Sequence, residues 1–273
     1  MFDQSLRRAR PSTPCGTIFR VERTVAILNQ KGGVGKTTVT LGLASAAAAA
    51  GRRVLVVDLD PQASATWVLG VEPDCGPTLA DVLTEGGPPA ESAITSSAWD
   101  PAILVLPGDR RLQALEAAGS NRLRAVLAPV ATEVDAVLVD CPPSLGSLSR
   151  SALASARHAV VVVEPSALGL RGIGGVADLV DDVWDTSNPD LELAGVILNR
   201  VPAQSREADR RIEELGRIVG RRSIWAPPVP QRVVLNEAIG QRRSVHSFGS
   251  RAAEPIAAFD ALWRRLVRQI RTA

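Results

Sequence analysis

Six short apolar runs punctuate the chain, at 25–28, 54–57, 103–106, 136–139, 159–163 and 196–198. Each is too short for a helix and shows no polar alternation. That pattern predicts strands buried on both faces, as in a parallel sheet. Between them lie longer stretches with apolar residues at helical spacing, predicting helices over 36–50, 110–118, 121–131 and 170–184. Gly51 is a fitting stop for the first of these. The alternation predicts one α/β domain with a mostly parallel, twisted sheet and helices on both faces. The stretch 70–100 is rich in Gly, Pro, Ser and Thr, so it is expected to be a surface excursion with one short helix near 78–83. A last helix, 252–271, places Phe259, Leu262, Trp263, Leu266, Val267 and Ile270 on one face. Arg264, Arg265, Arg268 and Arg271 fall on the other.

Composition bounds the partners. With 45% hydrophobic and 22% charged residues, the 273-residue chain reads as globular and soluble. A net charge of +2 does not by itself imply nucleic acid, so any basic surface must come from local clustering. Cys15, Cys75 and Cys141 are odd in number and far apart, which suggests neither zinc nor disulfides and fits a reducing cytosol. No secretory signal or membrane-length apolar run is present, so a cytoplasmic location is expected. Residues 1–23 carry Arg7, Arg8, Arg10, Arg20 and Arg23 with Pro11 and Pro14, and are expected to form a flexible basic arm; 24–273 are expected to form the α/β domain.

The chemistry concentrates where strands end. Asn29 to Thr38 reads NQKGGVGKTT between a predicted strand and a predicted helix, the context of a phosphate-binding loop. Gly32, Gly33 and Gly35 let successive backbone N–H groups converge, with Val34 between them, and the helix beginning at Lys36 adds its N-terminus. Lys36 can reach β- and γ-phosphates, and Thr37, followed by Thr38, can ligate Mg²⁺. The usual first glycine is replaced by Gln30, and a second lysine, Lys31, follows it. The chain has two lysines, and both lie in this loop. A compact ammonium fits among phosphate oxygens where a planar guanidinium does not. Two further strand ends carry carboxylates: Asp58 and Asp60 in DLDPQ, and Asp140 in DCPPSLG. Those ends are where ligands bind in open α/β sheets. Cys141 is expected to be a small buried side chain rather than a redox residue.

Together these motifs resemble the deviant Walker A ATPases of the ParA/MinD superfamily, and the runs DLDPQ, DCPPSLG, EPSALGLRG and LNEA resemble the ParA branch. The resemblance covers about 24–250 and implies a P-loop NTPase fold. It implies ATP and Mg²⁺ as cofactors, Lys31 reaching across a homodimer to the partner's nucleotide, and Asp60 orienting the attacking water. Lys36 is then catalytic too, Asp58 supports the Mg²⁺ shell and Asp140 holds the ion. Asn199, at a strand end, would read the adenine, with Pro230 beside the nucleotide. The family's DNA-contacting stretch, usually IPRNVRLSEA, here reads with Gln231 and Val234 at its two arginine positions. Arg206, Arg221, Arg222, Arg232, Arg242 and Arg243 are therefore the candidates for non-specific DNA contact; a solvated arginine-rich surface is the alternative. The implied partner is a ParB-like centromere-binding protein, which the basic arm would touch unless it is a tail with no role. The implied location is the nucleoid.

Three alternatives stay open. A MinD-like protein would cycle on membranes through its C-terminal amphipathic helix; a helix packed on the sheet with its arginines solvated is the preferred reading. An iron-protein-like electron donor would need two suitably placed cysteines, which Cys75 and Cys141 do not provide. A positioner of another cargo would share the chemistry and differ in its adaptor.

Overall fold

The computed structural model describes residues 22–72, 76–118 and 122–272. Within them the chain runs β1 (Thr24–Leu28), α1 (Lys36–Ala49), β2 (Val54–Asp58), α2 (Ser64–Val68), α3 (Leu79–Leu83), β3 (Thr95–Ser96), β4 (Ile103–Leu106), α4 (Leu112–Ala118), α5 (Leu123–Val130), β5 (Ala136–Asp140) and α6 (Ser147–Ser155). It continues through β6 (His158–Val163), α7 (Ala167–Thr186), β7 (Glu192–Leu198), α8 (Arg206–Val219), β8 (Ile224–Trp225), α9 (Val233–Gly240) and α10 (Ala253–Thr272). The eight strands lie in the order β3-β4-β2-β5-β1-β6-β7-β8. All neighbours pair in parallel except β3 with β4. The mostly parallel sheet with helices on both faces is thus as expected from the apolar runs.

The strands are built of Val, Leu, Ile and Ala, and β1, β2, β5 and β6 are buried throughout. Alternate residues face opposite layers. Ala26, Leu28, Leu55 and Val57 pack with α3, α5, α6 and α7; Val25, Ile27, Val54 and Val56 pack with α1 and α10. Phe259, Leu262, Trp263 and Leu266 of α10 are buried in that second layer. At about 1.5–3 kcal/mol for each large apolar side chain, this burial makes α10 an integral layer, not a detachable tail. Gly42 of α1 permits the approach: a Cβ there would lie 2.2 Å from the Phe259 ring.

Two expectations need correction. The region 70–100 is not a mere surface excursion, because Leu79, Ala80, Val82, Leu83, Ala90 and Ala93 are buried in the core. Its few apolar residues were hidden by a turn-like composition; α3 is fixed by a reciprocal cap between Thr78 and Asp81. Arg23, assigned to the basic arm, belongs to the domain: its Nη1 donates to Val134 O (2.9 Å) and its carbonyl accepts from Val137 N. The rest of the arm, with Cys15, and likewise Cys75, lies outside the described residues. Among the described residues no helix is long and apolar enough to cross a membrane.

Candidate nucleotide-binding site

Register brings the site together. β2 lies beside β5 with Asp58 opposite Asp140, and β1 lies on the other side of β5 with Ile27 opposite Asp140. The loop after β1 therefore opens beside both carboxylates. Gly33 and Gly35 take left-handed φ of +79° and +89°, conformations that glycine adopts without steric cost. A side chain at Gly35 would also strike the Asn199 amide, 2.1 Å from the position of its Cβ. Asn29 anchors the loop entrance, donating to Val162 O (2.6 Å) and accepting from Lys31 N (2.9 Å).

The two lysines differ in setting. Lys36 is buried, and burial lowers its pKa against the opposing pull of the Asp140 charge. Lys31 is partly exposed, and its Nζ lies 3.5 Å from Glu164 Oε2. Thr37 Oγ1 donates to Asp140 Oδ2 (2.7 Å) and Thr40 Oγ1 to Asp140 Oδ1 (3.1 Å). Asp58 Oδ2 accepts from the backbone N and hydroxyl of Thr66, both at 2.7 Å. Both carboxyls are fully buried, and burial pushes each pKa up; the Asp58 charge adds to the rise at Asp140. Asp60 is only half-buried and accepts from Gln62 N (2.9 Å). Ala63, three residues on, takes a left-handed φ of +51°, unusual for a residue with a Cβ.

Pro230 is buried and bridges Val201, so the 229–231 segment runs beside Asn199 at the end of β7. Asn199 donates to Val34 O (2.7 Å), and its buried Oδ1 has no partner among the described residues. Cys141 is buried, and burial holds its thiol far above the ordinary range, so it stays protonated as expected for a packing residue.

These observations fit a nucleotide with its magnesium. An orphaned buried acceptor awaits a donor such as a base amino group, since an unpaired buried oxygen costs about 1–3 kcal/mol. Two buried carboxyls whose pKa values burial raises, Asp140 bonded to Thr37, are of the kind that a cation would relieve. No cluster of three or more His, Cys, Asp or Glu converges among the described residues. Mg²⁺ needs none, because it takes one or two carboxylates and completes its shell with water and phosphate oxygens. A cavity of about 810 Å³ lies beside 61–67, with Gln62, Trp67, Glu72, Pro107 and Arg110 in its walls. It flanks the DLDPQ loop, whereas the phosphate loop itself is an open cradle.

Comparison with known proteins agrees. Residues 22–193 match the family described as an AAA domain. The chain is 33% identical to the chromosome partitioning protein ParA of Myxococcus xanthus, over 91% of this chain and 89% of that one. It is 34% identical to the chromosome-partitioning ATPase Soj of Thermus thermophilus, over 91% and 95%. The chain belongs to the ParA/Soj family of P-loop ATPases. A solved structure of cobyrinic acid a,c-diamide synthase from Mycobacterium smegmatis, with bound ATP analog and magnesium, is 31% identical. It covers 89% of this chain and 94% of its own, with a TM-score of 0.74. ATP and Mg²⁺ are accordingly the cofactors of this ParA-family site.

Several residues that matter here carry little signal in the sequence. Thr40 sits one helical turn after Lys36, a spacing that could have marked it. Thr66 lies in no motif, and Glu164 only opens the EPSALGLRG run, which gives no sign that it pairs with Lys31. Gly108 is needed because a Cβ there would lie 2.4 Å from Asp58 O, and its N donates to Thr66 Oγ1 (3.0 Å). Glu116 of α4 accepts from Ser144 Oγ (2.7 Å) and Leu148 N (2.6 Å), tying the DCPPSLG loop to a distant helix. Pairings at such sequence separation leave no local trace.

Proposed function

We propose that this chain is a partition-type positioning ATPase that closes into a homodimer over two ATP molecules, binds DNA without sequence preference in that state, and releases it on hydrolysis. The observation that carries this reading is the division of labour between the lysines. Lys36 is buried beside Asp140 and serves its own phosphate loop. Lys31 is partly exposed, and among the described residues its ammonium is held by Glu164, in a surface ion pair worth about 0–1 kcal/mol. So weak a tether leaves Lys31 able to swing to a second subunit's phosphates. Leu168, 64% exposed at the start of α7, supplies an apolar surface next to Glu164 that a dimer would cover.

Bound ATP supplies the γ-phosphoryl group, and bound Mg²⁺ neutralises its charge. Thr37 and Asp140 would hold the ion with Asp58 behind them, Asp60 would orient the attacking water, and the backbone of 32–38 would cradle the phosphates. Asn199 and Pro230 would place the base. A ParB-like centromere-binding partner would stimulate hydrolysis, and the cycle would run on the nucleoid in the cytoplasm. A membrane cycle of the MinD kind is disfavoured by the buried apolar face of α10.

The test is Lys31→Ala. With a non-hydrolysable ATP analogue the variant should bind nucleotide yet elute as a monomer and fail to shift DNA. Its partner-stimulated kcat should fall about 10³-fold or more, the range for a cation supplied in trans. A Lys31→Ala protein that dimerises and binds DNA normally would sink the proposal.

A further inference from the structure

The candidate DNA arginines divide by what they already touch. Arg232 is bonded to Glu254 (2.6 Å), and Arg242 to Glu72 (2.8 Å) and to Trp67 O (2.8 Å). Nearby Arg251 is bonded to Glu237 (2.7 Å), while Arg243 lies over the Phe248 ring at 5.0 Å. The 230–251 segment is therefore laced with carboxylates, each of which repels a phosphate and cancels a cation. Along α8, Arg210, Arg211 and Arg217 are paired with Glu207, Glu214 and Glu213 in the same way.

A second group is different. Arg221 and Arg222 form an exposed turn after α8, and no carboxylate pairs with either among the described residues. Arg265 of α10 crosses to this turn, donating from Nη2 to Arg222 O (3.1 Å) while its guanidinium lies over Trp225 at 5.2 Å. That hydrogen bond docks the outer face of α10 against the turn. Arg264 and Arg271, seven residues apart and so on one side of the helix, are exposed, and neither has an ion pair among the described residues. Burial and the neighbouring Arg268 lower the pKa of Arg265.

We infer that the phosphate-binding face of this chain is the strip made by the Arg221–Ser223 turn and the outer side of α10, with Arg221, Arg222, Arg264 and Arg271 as its cations, in place of the 230–243 segment. The inference rests on the DNA-binding reading above. It favours duplex DNA over an anionic membrane because α10 exposes no large apolar side chain to insert into a bilayer. Unpaired cations release counterions from DNA on binding, whereas paired ones must first lose a carboxylate. At 0.1 M salt each neutralised phosphate contributes roughly eightfold in affinity.

The experiment is a salt titration of binding to a duplex of arbitrary sequence, with full-length protein and a non-hydrolysable ATP analogue. Arg221→Ala/Arg222→Ala/Arg264→Ala should weaken binding at least tenfold and flatten the log–log salt slope by about 1 for each phosphate no longer neutralised. Arg221→Lys/Arg222→Lys/Arg264→Lys should restore it, since a phosphate needs a cation and not a particular one. Arg232→Ala/Arg243→Ala should stay within about threefold of wild type, as expected of positions that meet no phosphate. An alanine triple that dimerises with the analogue and binds DNA undiminished overturns the inference while leaving the DNA reading intact. Equal losses in the Arg232→Ala/Arg243→Ala protein would also overturn it. Wild type that ignores DNA but sediments with phosphatidylglycerol vesicles overturns both.

Discussion

At the phosphate loop stand two lysines, one buried and under the influence of the Asp140 charge, the other bridged to Glu164. From Arg206 to Arg271 there is no lysine, and the cations are arginines spread over several elements, many cancelled by glutamates. In the first region each group has an assigned atom to meet: Thr37 meets Asp140, Thr66 meets Asp58, Asn199 meets Val34. In the second, charge acts through its sum and its screening. A position-specific site should fail abruptly when one group is removed; a distributed one should weaken in increments.

The sharpest way to break that contrast is at Asp140 and Lys36. Asp140→Asn removes the charge for the cation and keeps one acceptor oxygen where the carboxylate offers two, and Lys36→Ala removes the buried ammonium. Each should lower kcat by about 10²- to 10³-fold, as expected for the loss of one preorganised electrostatic group in a buried site. Single-turnover hydrolysis of labelled ATP checks it. Losses of only a few-fold would mean the loop also works by summed charge, and the distinction between the regions would dissolve.

A smaller effect tests whether the arginine-bearing helix is a fixed layer. Gly42→Ala on α1 has two opposed consequences. Helix propensity favours alanine by about 1 kcal/mol. Against it, the new methyl collides with the fully buried Phe259 ring, and overpacking costs about 1–3 kcal/mol. The collision should win, lowering Tm by a few degrees in thermal unfolding. A raised Tm would mean that α10 does not rest against α1, and the proposed DNA face would lose its platform.

The same contrast explains what could be read in advance. The sheet was legible because six apolar runs alternate with helical periodicity, and the loop because its chemistry restricts residue types at fixed spacing. Two-residue strands such as β3 and β8 were not, since so short a run carries no periodicity. Nor was the buried part of 76–93, whose apolar residues are diluted by turn-formers. Which arginines are paired was also hidden: Arg232 meets Glu254 across 22 residues and Arg242 meets Glu72 across 170. Glu164 stands in the sequence only as the first letter of a longer motif, yet it is the residue that holds Lys31.

The finest test of the crowded region is its pH dependence without nucleotide. Asp58 and Asp140 have folded-state pKa values raised above the ordinary carboxylate value of about 4. From there upward to neutrality the folded chain keeps protons that the unfolded chain has released, so the pair costs stability as pH rises. His158 contributes with the opposite sign. It is buried with no hydrogen-bond partner among the described residues and burial lowers its pKa to about 4, so its contribution is lost as pH falls from the ordinary histidine value of about 6.5. The wild-type profile mixes the two, and a difference separates them. The stability of Asp140→Asn relative to wild type should rise between about pH 4 and pH 7, by roughly 1.4 kcal/mol for each unit by which the folded-state pKa was raised. Mg²⁺ with nucleotide should shrink that gap, because a cation relieves the buried charge only where the carboxylate remains. Parallel Tm profiles for the two proteins would show that burial does not hold the Asp140 carboxyl above its ordinary pKa, and that the proposed cation site is not built in the way that burial implies.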